Sequence, residues 1–119
     1  LQNFTQFKEP LQSLLIKWQT FSNKHVYTEY YIFEWQNDMD CRRLIQENMK
    51  TLSAAERKEV KKYLQPMDDA VKAATFEISE CIWNINVAKR NKYNRRTNWY
   101  YYRVNEKVFG SEKVAFTKK

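Results

Sequence analysis

Residues 53–85 read SAAERKEVKKYLQPMDDAVKAATFEISECIWNI, and the fold class turns on this stretch. Ser53 and Glu56 match a capping box: the serine oxygen takes the amide three residues on, and the glutamate reaches back to the serine N–H. A helix therefore starts at Ala54, and Val60, Tyr63 and Leu64 follow at helical spacing. Pro66 lacks an amide and pushes residue 65 away from α geometry, so a break or kink is expected there. Asp68 and Asp69 then suit the positive end of a new helix. Met67, Val71, Ala74, Ile78, Cys81, Ile82 and Ile85 recur at three- and four-residue steps, which predicts a long helix over residues 67–89.

Upstream, Pro10 fits a first helical turn, and Leu11, Leu14, Leu15, Trp18 and Phe21 place a helix over about residues 9–24. Thr28 is a candidate N-cap for a second helix ending near Met49, with Tyr31, Ile32, Trp35, Met39, Leu44, Ile45 and Met49 on its apolar face. Tyr30, Phe33 and Cys41 widen that face enough to imply contact with two neighbours. Downstream, Asn91, Asn94 and Asn98 weaken helix propensity. Thr97 could cap a last helix over residues 99–109, although the aromatic run at 99–102 also suits a strand. Gly110 ends that element, and residues 111–119 read as a loose tail.

The chain's 119 residues suit a single domain with one hydrophobic core. With one glycine in the sequence there are few of the positive-φ turns that β folds need. The expected architecture is all-α, a bundle of four or five helices. Its expected core is led by Leu14, Leu15, Trp18, Ile32, Trp35, Met39, Ile45, Leu64, Val71, Ile78, Ile82 and Ile85. No apolar run approaches the roughly 20 residues of a transmembrane helix. The chain begins at Leu1, and removal of an export signal is the simplest reading, so the expectation leans towards a secreted or periplasmic protein. Asn3-Phe4-Thr5 matches the N-glycosylation acceptor pattern, a tripeptide common by chance.

Charge is distributed unevenly. Residues 1–50 carry six basic and six acidic side chains, residues 51–88 five and six, and residues 89–119 ten and two. The last quarter thus holds the whole of the net charge of +7. It interleaves Lys89, Arg90, Lys92, Arg95, Arg96 and Arg103 with Tyr93, Trp99 and Tyr100. Such a segment suits an acidic protein or surface, because tyrosine, tryptophan and arginine are the usual interface anchors. It would also suit single-stranded nucleic acid, with cations on phosphates and rings stacked on bases. The bland alternative is that the rings pack on the core while the arginines reach outward. A small apolar ligand held between helices is a third, weaker functional reading.

Cys41 and Cys81 are the two cysteines. In simple up-and-down arrangements a rise of 1.5 Å per residue separates them by roughly 16 or 28 Å, and a disulfide needs Cα atoms within about 7 Å. Two separate thiols fit those arrangements, and a bond would require tilted helices or a longer connection near Pro66. His25 is the one histidine, placed in a loop with no evident partner for base catalysis. Glu34 and Asp38, and Glu77 and Glu80, are carboxylates about one turn apart, which on helices are more often solubilising charge than a cation site. No glycine-rich phosphate loop, Cys-x-x-Cys pair or paired Glu-x-x-His motif is present. The expectation is a non-enzymatic protein without metal or cofactor.

Overall fold

The computed structural model describes residues 1–111 and 115–119. The Ser53 capping box forms in both directions, with the Glu56 amide on Ser53 Oγ and the Ser53 amide on Glu56 Oε1, each at 3.2 Å. Helix α3 (Ala54–Ala73) grows from it and does not end at Pro66. Proline deprives the Lys62 carbonyl of its helical donor, but Lys62 and Pro66 are both exposed, so water can reach the freed oxygen. Meanwhile Val60, Leu64, Met67 and Val71 bury one continuous row across the proline.

The helix ends seven residues later, at Ala73. Thr75 Oγ1 donates to the Val71 carbonyl at 2.8 Å. The Arg103 guanidinium donates to the carbonyls of Lys72 and Thr75 and to Thr75 Oγ1, at 3.2, 3.1 and 2.8 Å. These bonds take the last carbonyls that a further turn would have used. The expected helix over residues 67–89 therefore stops at Ala73. Phe76–Glu77 (β1) instead pairs antiparallel with Arg103–Val104 (β2). Ile78 and Ile82 are buried as expected, but their amides bond to the carbonyls of Tyr102 and Tyr101. Ile85, assigned to the core, is 66% exposed, and Leu14 is half-buried; the other ten expected core residues are buried.

Helix α1 (Leu11–Thr20) continues through a π-helical turn, Phe21–His25, and α2 spans Ile32–Met49. Trp18 stacks on Phe21, which meets Trp35 edge-on, with centroids 5.4 Å apart in both pairs. Asp68 joins three helices at this point. Its carboxylate accepts the Trp18 indole N–H from α1 at 3.0 Å and a two-pronged bond from Arg42 of α2 at 3.0 and 2.9 Å. Tyr31 and Leu44 were expected on the apolar face of α2, with Tyr30 and Phe33 widening it, but all four are exposed, whereas Cys41, also expected to widen it, is buried. The helix starts at Ile32, so both tyrosines precede it, and Phe33 falls on the outer side.

The C-terminal third holds α4 (Ile85–Asn91), a 3-10 turn (Trp99–Tyr102), β2 and α5 (Glu106–Phe109). The helix expected over residues 99–109 is thus divided among three elements. Three α2 side chains fasten this third to the core. Trp35 and Gln36 donate to the carbonyls of Arg103 and Ile82, at 3.1 and 2.8 Å, and Asp40 accepts the Tyr101 hydroxyl at 2.8 Å. Asn105 caps α5 through the Val108 amide and donates to the carbonyls of Val26 and Glu29. Residues 115–119 were expected to be loose, yet the Ser79 amide bonds Thr117 and the Lys119 amide bonds Glu77. Ser111 bonds its amide to the Val108 carbonyl, and residues 112–114 of that expected tail lie outside the described residues.

The fold is mostly helical, with one two-stranded sheet among the described residues. No helix among them is long and apolar enough to cross a membrane. Cys41 and Cys81 are free thiols: Cys41 lies buried with its Sγ against the Leu14 carbonyl, and Cys81 is half-buried beyond β1.

Asp68→Ala should destabilise the protein by about 3–5 kcal/mol in urea unfolding, because it strands the buried Arg42 guanidinium. A loss below about 1 kcal/mol would show that Arg42 finds another acceptor. A second prediction concerns Glu29, whose Oε2 is buried and has no hydrogen-bond donor among the described residues. Burial, with Asp38 and Glu34 adding to it, pushes this carboxyl up to about 9. The unfolded chain releases that proton near pH 4.3, so the contribution is complete below that pH and is lost as pH rises to about 9. The stability of Glu29→Gln relative to wild type should therefore climb between pH 5 and pH 9; a constant difference would count against a protonated Glu29.

Candidate functional site

The basic segment is shaped by asparagines that a helix would not favour. Asn84 Oδ1 accepts the Val87 amide at 3.0 Å and starts α4, which ends at Lys92 in the left-handed conformation (φ 58°, ψ 37°). The Lys92 amide closes on the Lys89 carbonyl and the Tyr93 amide on that of Ala88. Asn94 Oδ1 then accepts the amides of Arg96 and Thr97, both at 3.0 Å. Asn98 Oδ1 accepts the Asn94 amide, and its Nδ2 donates to the Tyr100 hydroxyl. These side chains supply the partners that helical carbonyls and amides would have supplied, so the chain turns sharply between α4 and the 3-10 turn.

That turn separates the nominated site residues into two groups. Tyr100 is fully buried, and burial pushes its hydroxyl up to about 12. Tyr101 beside it is also fully buried, and burial followed by its bond to Asp40 raises it further. Tyr93 is half-buried with its ring 4.7 Å from that of Tyr101. Trp99 is half-buried and carries the Lys72 ammonium over its ring at 4.6 Å. Arg95 folds back over the Tyr102 ring and donates to the Ser79 carbonyl at 2.6 Å. Arg103 closes the end of α3, and burial lowers its pKa.

The second group is Lys89, Arg90, Lys92 and Arg96. All four are exposed, and among the described residues none of them forms an ion pair. Between the end of α2 and the 91–98 turn lies an open groove of about 470 Å³, whose walls include Arg43, Lys50, Lys92, Tyr93 and Asn98. Arg43 is held by Asp40 at 2.8 Å and Lys50 by Glu47 at 3.1 Å. Lys92 is the cation in this groove that has no counter-charge among the described residues.

The sequence reading passed over one surface feature. Tyr27, Tyr30, Tyr31 and Phe33 are 57, 47, 47 and 75% exposed. The rings of Tyr30 and Tyr31 lie 4.0 Å apart and their hydroxyls are bonded at 2.7 Å. The signal was present as four aromatics within seven positions, but three of them, Tyr30, Tyr31 and Phe33, fit a buried helical face in the sequence.

No family model matches the chain, and no curated protein or solved structure matches it either.

Arg103→Ala should cost about 2 kcal/mol in urea unfolding, since it strips charged hydrogen bonds from the end of α3. Arg96→Ala should stay within about 0.5 kcal/mol, as expected for an exposed side chain with no partner among the described residues. Equal losses at the two positions would mean that they do not differ in structural role.

Proposed function

We propose that this chain is a non-enzymatic interaction protein that docks an acidic protein segment on the face made by Lys89, Arg90, Lys92 and Arg96. The observation that carries the reading is that these four cations are exposed and form no ion pair among the described residues, while the neighbouring rings and Arg103 are engaged within the fold. An acidic side chain entering the groove between α2 and the 91–98 turn would meet Lys92 first. The backbone of Lys92 supports this reading. A left-handed conformation costs a non-glycine residue roughly 1 kcal/mol, and glycine would occupy it freely. Keeping lysine there fits a role for its ammonium. The three long helices, read as a bundle, would give this face a rigid support.

Base stacking is the weaker reading, because it needs open aromatic faces. Tyr100 presents none, and Trp99 already holds Lys72 on its ring. The discriminating experiment compares a ten-residue glutamate-rich peptide with a ten-residue oligothymidine in salt titrations. The peptide should bind, and Lys92→Glu/Arg96→Glu should weaken it at least tenfold while leaving the circular dichroism unchanged. Lys92→Gly should weaken binding with a stability change under about 1 kcal/mol. Binding unaffected by the double charge reversal would refute the proposal. Oligothymidine binding that quenches tryptophan fluorescence would replace it with the nucleic-acid reading.

A further inference from the structure

The exposed rings of Tyr27, Tyr30, Tyr31 and Phe33 lie outside the docking face proposed above. They stand at the start of α2, where Phe33 leaves three-quarters of its surface open. Aromatic surface left open in a group marks a site of protein contact, and tyrosine is among the residues that anchor such contacts.

The charge around these rings says what would cover them. Residues 26–41 carry four carboxylates and no lysine or arginine, in a chain of net charge +7. Asp40 is taken by Arg43 and the Tyr101 hydroxyl. Glu34 and Asp38 form no ion pair among the described residues. The Tyr30 hydroxyl is pushed up first by its bond to Tyr31 and also by Glu34, which places that carboxylate beside the paired rings. An arriving lysine or arginine would meet ring faces and a carboxylate together, and both attract it.

Among the described residues no lysine or arginine lies over any of these four rings. The chain's own Lys92 is out of reach. It shares a groove with Gln46, Glu47 and Lys50 at the far end of α2. From Glu34 to Gln46 is roughly 18 Å along the helix, further than a side-chain pair can span. A second copy meets no such limit.

We infer that a second copy of this chain is the acidic partner: its 27–33 aromatic patch, with Glu34 and Asp38, seats on the Lys89, Arg90, Lys92 and Arg96 face of the first. The inference rests on the docking face proposed above and names what docks there. The net charge of +7 on each copy opposes unselective association, so the contact joins unlike surfaces, aromatic and acidic on one side and basic on the other.

Sedimentation equilibrium of the full chain, from micromolar to millimolar concentration, tests this. Wild type should self-associate. Phe33→Ala/Glu34→Gln strips the aromatic patch, and Lys92→Glu/Arg96→Glu reverses the basic face. Each should weaken association at least tenfold with unchanged circular dichroism. Mixed together, the two variants should form a one-to-one complex, because each retains the surface that the other lacks. Should Phe33→Ala/Glu34→Gln unfold, Tyr27→Ala/Tyr30→Ala carries the same comparison. A variant that associates as wild type does, or a mixture without the one-to-one complex, would overturn the inference. The glutamate-rich peptide separates it from the reading it rests on. A chain that binds the peptide but stays monomeric at millimolar concentration has a different acidic partner, and the inference falls alone. Binding of a lysine-rich peptide to the patch of that monomer would likewise give the patch another partner and overturn it. A chain that neither binds the glutamate-rich peptide nor self-associates overturns both.

Discussion

The carboxylate of Asp68 fixes how the long helices meet. It stands on α3, takes the Trp18 indole of α1 and grips the Arg42 guanidinium of α2. A buried ion pair adds little net stability over a well-packed apolar group, but breaking one is expensive. Its value here is geometric. Trp18 and Arg42 can both be satisfied in one relative placement of the three helices, and the Trp18, Phe21 and Trp35 rings then pack in that placement. Because Asp68 lies just beyond Pro66, α3 has to continue through the proline for the contact to exist.

With the helices placed, α2 presents Trp35, Gln36 and Asp40 to the C-terminal third. The division of the basic aromatic segment follows from relative magnitudes. Burying one tyrosine ring removes about 150–250 Å² from water, on the order of 4–6 kcal/mol as an upper bound. An exposed ion pair is worth about 1 kcal/mol or less. Packing therefore decides which way the chain faces, and Tyr100 and Tyr101 turn inward. Lys89, Arg90, Lys92 and Arg96 are left outside with little structural work to do. Arg95 and Arg103 are the exceptions, because backbone carbonyls at Ser79 and at the end of α3 lie within their reach.

The sequence was most legible where local chemistry and burial agreed. The Ser53–Glu56 capping box formed as read, and α1 with its π-helical turn occupies almost the span expected of the first helix. Ile78 and Ile82 were correctly placed in the core but on the wrong backbone. A four-residue step keeps two residues on one side of a strand as readily as on one side of a helix. The signal that settles the matter is Arg103, which caps α3 from 28 positions away, and no local pattern contains it. Pro66 misled for the opposite reason: a local penalty was outweighed by the buried row on either side of it. At the candidate site the charge was legible, but the split between inward rings and outward cations depends on the asparagine-built turn at 94–98.

That split is the centre of the account, and chemical footprinting tests it most directly. Brief tetranitromethane nitration and lysine acetylation of the native protein would be mapped by mass spectrometry. The account predicts rapid nitration at Tyr27, Tyr30 and Tyr31, rapid acetylation at Lys89 and Lys92, and protection of Tyr100 and Tyr101 until the protein is unfolded. Nitration of Tyr100 and Tyr101 as fast as that of Tyr27 would contradict it, because the aromatic run would then lie on the surface beside the cations.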